Sequence, residues 1–432
     1  MRTLLYPSGT GIDEALLRPS AGSSGIEFQV REIIQRVRNE SDEALRYYSE
    51  KLDGSLPASF KVEEAVIKSA ADKIPEELKK AVRAAAANIE AFHAAGLTKP
   101  EVVETTPGVR CWSRDTAIEK VGLYVPGGTA PLFSTVLMLG IPARLAGCSE
   151  IVMCTPPGKD GMINPLILYA ASLAGVSAIY SVGGAQAIAA MAYGTKSVPA
   201  VYKIFGPGNR YVTRAKEIVQ LDGVSIDMPA GPSELMVIAD SSANPAFVAA
   251  DLLSQAEHGT DSQVIMLTDS KTLSEAVGLE IENQLPLLER REIAAGALKN
   301  SSMIVLENIE QCVSVSNRYA PEHLIIVTAD SNNTSAGVTN AGSVFLGHYS
   351  SESAGDYMSG PNHTLPTGAY ARSLGGITVA SFMKKIFFQE VTEAGLLNIG
   401  RDTERLAGAE MLAGHANAIT VRLKYLKDEK NR

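Results

Sequence analysis

The chain has 432 residues, 45% of them apolar and 20% charged, with a formal net charge of −9. That length and apolar content predict two or more domains with real cores. The acidic balance argues against nucleic acid or an anionic membrane as the main partner, because both need a basic surface. No run reaches the roughly 18 apolar residues that span a bilayer. The N-terminus, MRTLLYPSGTGIDEALL, lacks the apolar core and small-residue cleavage site of a signal peptide. Cys111, Cys148, Cys154 and Cys312 form neither a CxxC pair nor a zinc-ribbon spacing, which predicts reduced thiols and a cytoplasmic setting.

In chain order, residues 1–25 are rich in Gly, Ser and Pro and read as an irregular arm. VREIIQRVRNESDEALRYYSEKL then repeats apolar positions three and four apart, the pattern of helix. Pro75 opens a second helical stretch whose first turn is acidic, where the helix dipole favours it. His93, near its end, reads as a surface or packing histidine. From about residue 118 the texture changes to short β-rich runs alternating with helices: KVGLYVPGG, TVLMLGIPARLAG, EIVMCTPPG, INPLILYAASLAG, AIYSVGGAQAIAAMAYG and VYKIFGPGN. Such alternation predicts βαβ units and a mostly parallel sheet. A second series of the same kind begins near residue 235 and runs to SVFLG. Residues beyond about 376 read as a charged helical tail.

Parallel sheets place ligands at the carboxyl ends of their strands. Here those ends are glycine-rich: VPGG (125–128), VGGAQ (182–186), FGPGN (205–209) and AGPSE (230–234). Each alone could be an ordinary βα turn. Together they point to a nucleotide or similar ligand, since glycine lets backbone approach it closely. None is a G-x-G-x-x-G fingerprint with an acidic residue placed to grip a ribose, and no G-x-x-x-x-G-K-[ST] is present. A dinucleotide would therefore bind in a non-standard pose.

The stretch NRYAPEHLIIV sets Glu322 and His323 side by side where an apolar run begins. Either they end a loop and face water, or they form an acid/base pair at the mouth of a sheet. In DLLSQAEHGTD, Gln255 and His258 are three apart on a predicted helix and share a face, with Gly259 as its stop. Asp356 and His363 lie in SAGDYMSGPNHTLPTG, which Gly and Pro make an expected loop. Glu410 and His415 lie near a helix end in AEMLAGHANAI. Gln255, His258, Asp356 and His415 together offer two imidazoles, a carboxylate and an amide oxygen. That is a plausible shell for zinc, and a mixed N/O shell suggests a catalytic or substrate-orienting metal.

Taken in order, these motifs resemble the histidinol dehydrogenase family. The resemblance is carried by LYVPGGTAPLFSTVLM (123–138), VGGAQAIAAMAYGT (182–195), KIFGPGNRYVTRAK (203–216), DMPAGPSE (227–234), DLLSQAEHG (251–259), RYAPEHL (318–324), SAGDYMSGPNHTLPTG (353–368) and EMLAGHANAI (410–419). It covers nearly the whole chain. Two positions depart from the family pattern: Ser351 stands where proline is expected, and Met411 where glycine is frequent.

The resemblance implies an α/β fold of two Rossmann-like domains with parallel-rich sheets, an N-terminal arm and a helical C-terminal tail. The expected boundaries are an arm at 1–25, a discontinuous first α/β domain at 26–118 with 235–375, a second at 119–234, and a tail at 376–432. It implies oxidation of L-histidinol to L-histidine through the aldehyde, with zinc and two NAD+. Zinc would be held by Gln255, His258, Asp356 and His415. His323 would be the general base and Glu322 its acid/base neighbour. Ser233, His363 and Glu410 would contact the substrate, along with the zinc ligands and His323. Tyr124, Gln186 and Asn209 would contact NAD. A domain-swapped homodimer is implied, in which Glu410 and His415 serve the partner's site. The alternatives are a related dehydrogenase of another small alcohol, a zinc hydrolase using the Glu–His pair, or a non-catalytic binding protein. The glycine-rich loops and the absence of a metallohydrolase motif weigh against a hydrolase.

Overall fold

The computed structural model describes residues 1–19, 25–97, 99–127, 131–229 and 231–430. Residues 20–24 of the arm, Gly128 of the first glycine-rich loop and Ala230 of the fourth lie outside the described residues. In chain order the first strands are β1 (Arg2–Leu5), β2 (Val102–Thr106), β3 (Val109–Ala117), β4 (Lys120–Tyr124) and β5 (Glu150–Thr155). Next come β6 (Ala178–Ser181), β7 (Lys203–Phe205), β8 (Ser225–Ile226), β9 (Glu234–Ala239) and β10 (Gln263–Thr268). The last are β11 (Ser302–Val305), β12 (His323–Val327), β13 (Ser343–Leu346) and β14 (Met383–Val391).

The chain divides into two compact units, one of residues 1–96 with 118–382 and one of residues 97–117 with 383–432. The larger unit contains two all-parallel sheets, ordered β6-β5-β4-β7-β8 and β1-β11-β10-β9-β12-β13. In the first sheet the chain steps outward from β4 to β6, then returns to the other side of β4 as β7. The crevice of such a sheet opens at that reversal, outside the carboxyl ends of β4 and β7. Strands buried on both faces read as continuous apolar runs. In β9, Leu235, Val237 and Ala239 enter one core, with helix Pro245–Ala256, while Met236 and Ile238 enter the opposite one, with helix Ile309–Tyr319.

Three expectations need correction. The arm is not wholly irregular: β1 pairs with β11 in register Arg2↔Ser302 to Leu5↔Val305, and Gly9–Ala15 is helical. That pairing partner is some 300 residues away, beyond any local pattern. Helices 26–94 do not join the β9–β13 sheet as expected. Val30, Ile33, Ile34 and Val37 of helix Ile26–Glu40 share a core with Tyr124, Val152 and Ile204 of the β4–β8 sheet. Periodicity shows that a helix has an apolar face but not which sheet receives it. The smaller unit takes residues 97–117 away from the first domain as antiparallel β2 and β3. It pairs β3 with β14, a nine-residue strand that precedes the helical part of the tail. From Glu393 the tail is helical, as helices Glu393–Ala409 and Ala413–Lys430. No helix among the described residues is long and apolar enough to cross a membrane.

Candidate active site

Helix Ile309–Tyr319 ends at Ala320, whose φ of +56° turns the chain left-handed, and Pro321 prevents helix from resuming. β12 starts two residues later, so Glu322 and His323 lie at the amino end of a central strand, beside Glu234 at the start of β9. Neither faces water: Glu322 is 8% exposed and His323 4%. The Glu234 N–H donates to Glu322 Oε2 at 2.8 Å, which fixes the carboxylate beside the imidazole. His323 Nδ1 lies 3.4 Å from the Glu234 carbonyl and 3.2 Å from the Gln255 amide, while its Nε2 is buried without a partner.

Gln255 is on the last turn of helix Pro245–Ala256, which Asn244 caps by accepting the Ala246 N–H. That helix stops at Ala256 rather than running to Gly259, so His258 sits in the following turn. The stretch after Ser351 was expected to be a loop, yet Glu352–Tyr357 is a short helix. Ser351 caps it by accepting the Ala354 N–H; Gly355 lies within the helix, and Gly360, Pro361, Pro366 and Gly368 fall beyond its end. This helix carries Glu352 and Asp356 one turn apart, so both face the same way.

These pieces line one cleft of about 310 Å³, together with Ser233, His363, Pro126, Gly208 and Met228. The cleft lies between the carboxyl ends of the β4–β8 sheet and the amino ends of the β9–β13 sheet. The general rule for parallel sheets places ligands at carboxyl ends, whereas Glu322 and His323 stand where a strand begins. The second sheet contributes the opposite ends, because the residues before β9 and β12 face the first sheet across the cleft.

The structure brings Gln255, His258, Asp356, Ser233, Glu322, His323 and His363 to this cleft. Glu410 and His415 are exposed residues of the smaller unit, at the junction of its two helices. Sequence reasoning missed Glu352, which is 2% exposed and lies 3.8 Å from His323 Nδ1. Its only sequence signal was its place three residues before Gly355 of the SAGDYMSGPNHTLPTG motif.

The cleft is short of positive charge. Asp356 stands 3.9 Å from His323 Nε2, so three carboxylates surround one imidazole. Burial alone would lower the His323 pKa, but Glu352, Glu322 and Asp356 outweigh it and hold the ring above its ordinary value. Burial, with the neighbouring carboxylates, raises Glu352 as well, since one imidazole cannot compensate them all. His363 is pushed down by burial, and its Nε2 has no partner. His258, Glu352 and Asp356 present one nitrogen and two carboxylate oxygens within 4.8 Å of one another. The second Glu352 oxygen is buried without a partner. This donor set and the uncompensated charge fit a divalent cation that takes both N and O ligands.

A second cavity, of about 580 Å³, opens beside the first and is lined by Tyr124, Gln186 and Asn209, the expected cofactor residues. Pro126 and Gly208 line the cleft, and their neighbours Gly127 and Asn209 line the cavity. The loops after β4 and β7 therefore form the divide, at the reversal point of the sheet. The close approach needs glycine at 206: its φ is +128°, and a Cβ there would lie 2.0 Å from the Tyr124 carbonyl oxygen. A fully buried Lys216–Asp227 pair holds that glycine, Lys216 donating to its carbonyl at 2.9 Å and Asp227 accepting its N–H at 2.7 Å. Asn209 caps helix Arg210–Leu221 by accepting the Tyr211 and Val212 N–H groups. Gln186 is fully buried with its Oε1 unpartnered.

The chain matches the family model for histidinol dehydrogenase over residues 16–423. It is 53% identical to a histidinol dehydrogenase of Bacteroides fragilis over 427 residues, covering 99% of this chain and 100% of the relative. It is 51% identical to a histidinol dehydrogenase of Escherichia coli over 419 residues, covering 96% of each. The crystal structure of histidinol dehydrogenase from Elizabethkingia anophelis superposes with a TM-score of 0.96 at 51% identity, over 99% of both chains. With a family match over residues 16–423 and relatives covered along their full length, the chain belongs to the histidinol dehydrogenase family.

Proposed function

We propose that this protein oxidises L-histidinol to L-histidine through L-histidinaldehyde, with zinc in the cleft and NAD+ in the adjoining cavity, as the last steps of histidine biosynthesis. The observation that carries the reading is the buried Glu322–His323 pair in a cleft that also gathers Gln255, His258, Glu352 and Asp356. Gln255, His258 and Asp356 would hold the metal, with Glu352 beside them. By the family resemblance, His415 would complete the shell and Glu410 would contact the substrate amine, both from a second copy in a domain-swapped homodimer. Bound zinc would take the imidazole and amine nitrogens of histidinol as ligands, fixing the carbinol carbon, and would offset the carboxylates that favour protonated His323. Ser233 and His363 line the same space and contact the substrate. The reduced-thiol reading of the cysteines supports a cytoplasmic setting.

In the first step the His323 ring keeps its Nδ1 proton toward the Glu234 carbonyl. Its Nε2 takes the hydroxyl proton while the carbinol carbon gives a hydride to NAD+. The products are aldehyde, NADH and a proton. As water then adds to the aldehyde, Glu322 accepts a water proton and the proton on His323 Nε2 passes to the aldehyde oxygen, which gives the gem-diol and frees His323 to act as base again. His323 removes a proton from the diol as a second hydride passes to a second NAD+, leaving the carboxylic acid. Two successive steps on one carbon thus need a base and a water-activating carboxylate side by side. Tyr124, Gln186 and Asn209 position the dinucleotide, whose nicotinamide must cross the Pro126–Gly208 divide to reach the carbon.

The test is reduced-nicotinamide absorbance on adding NAD+ with L-histidinol or with a panel of other small alcohols. The reading expects L-histidinol to lead, and a lead by another alcohol would replace the substrate while keeping the scaffold. Mixing inactive His323→Ala and His415→Ala chains should restore partial activity if each site draws on two chains. No restoration would place each site within one chain.

A further inference from the structure

The cavity beside the cleft contains a carboxylate from a distant part of the chain, Asp53. Asp53 ends the short helical segment Ser49–Asp53, some 130 residues before the loop it meets, and it lines the cavity with Tyr124, Gln186 and Asn209. It accepts the Gly183 N–H and lies 3.5 Å from the Gln186 amide nitrogen. Gly183 caps the ten-residue helix Gly184–Tyr193, and the next N–H, of Gly184, donates to the Tyr124 hydroxyl at 3.0 Å.

A helix N-terminus after a parallel strand is ordinarily an anion site, because its N–H groups are free and its dipole favours negative charge. Here both N–H groups are taken by oxygens of the chain itself, and one of these is a carboxylate. A phosphate arriving at this point would meet like charge, with these two N–H groups already engaged. A sugar hydroxyl is different: it donates, and a carboxylate accepts it strongly. Gln186 supplies an independent sign of a ligand, since it lines this cavity and its amide oxygen is buried without a hydrogen-bond partner. Lys51 and Glu32 also line the cavity with opposite charges, and the Lys51 ammonium is engaged by the Tyr47 hydroxyl at 3.3 Å. Burial raises the Asp53 carboxyl to about 6, which still leaves it mostly ionised at neutral pH.

We propose that Asp53 and Gln186 receive the hydroxyls of an unphosphorylated ribose, and that Asp53 rejects a ribose carrying a 2′-phosphate. Asp53 is then the residue that sets cofactor choice. This rests on the reading that the cavity takes a nicotinamide dinucleotide.

The experiment compares the intact enzyme and Asp53→Asn in kcat/KM for NAD+ and NADP+ with L-histidinol. In parallel, calorimetry measures binding of ADP-ribose and 2′-phospho-ADP-ribose. Asparagine keeps an acceptor oxygen for the Gly183 N–H but removes the charge. The variant should raise the KM for NAD+ roughly 10-fold, the worth of one charge-assisted hydrogen bond, and leave kcat within about twofold. The preference for NAD+ over NADP+, and for ADP-ribose over its 2′-phosphate, should fall at least about 10-fold. Should Asp53→Asn fail to fold, Asp53→Ser removes the same charge and must relax the same preference. An unchanged preference in a folded variant that still reduces NAD+ would overturn the assignment of Asp53 alone. An unmodified enzyme that reduces neither dinucleotide and binds neither fragment would overturn the cofactor reading and this one with it.

Discussion

The His323 imidazole and the Glu352 carboxylate lie 3.8 Å apart, both almost wholly buried, with the other Glu352 oxygen left without a partner. A buried carboxylate that far from satisfaction is costly unless a cation joins it. Glu352→Gln should therefore weaken zinc binding about 10- to 100-fold, as loss of a supporting ligand does. Chelator competition on the purified enzyme would measure this. Unchanged zinc affinity would confine Glu352 to setting the charge on His323.

Glu322 and His323 are given different steps, so their variants should fail differently. Glu322→Gln keeps a hydrogen-bond acceptor for the Glu234 N–H but no base for water. It should pass the first hydride and stall, with aldehyde trapped by a carbonyl reagent. His323→Asn should lower both oxidations about 100-fold or more, the usual worth of a positioned base. Equal loss of both half-reactions in Glu322→Gln would remove its separate role.

The N-terminal arm bears on the same floor. Arg18 makes a paired ion bridge to Glu234 at 2.6 and 2.9 Å, stacks on the Tyr319 ring at 3.9 Å, and donates to the Tyr319 carbonyl. Glu234 is 3% exposed and sits beside Glu322. Arg18→Met leaves a buried carboxylate uncompensated and should cost about 3–5 kcal/mol. Urea unfolding would show it, and Arg18→Met with Glu234→Gln should recover much of the loss.

Asp251 gives a pH dependence with a definite sign. Burial alone raises its carboxyl from the ordinary value to about 7. The folded state thus binds a proton that the unfolded chain has lost between roughly pH 4 and 7. Stability from this group falls as pH rises through that window and is flat above it. Asp251→Asn should therefore raise Tm more at pH 8 than at pH 5, in the presence of chelator. An equal gain at both pH values would mean that Asp251 titrates normally.

Both βαβ series were legible in the sequence, because their strands are continuous apolar runs alternating with helical stretches, with glycine-rich carboxyl ends in the first series. The start of a buried strand at His323 was legible too, since Pro321 and the run Leu324–Val327 bracket it. What was illegible depended on distance along the chain. β1 meets β11 and Arg18 meets Glu234 across hundreds of residues. Asp53 supplies from upstream the cavity carboxylate that sequence reasoning sought downstream of a glycine loop. The two departures from the family pattern also have local meanings. Ser351 caps the helix that carries Glu352 and Asp356. Met411 adopts a φ of +59°, the left-handed conformation that glycine takes more readily.

The most direct test is the yield of NADH per L-histidinol consumed, with and without a chelator. The account predicts two NADH per substrate and L-histidine as product, with activity lost on chelation and restored by zinc. One NADH with free aldehyde would contradict the water-activating role of Glu322, and no NADH would contradict the substrate itself.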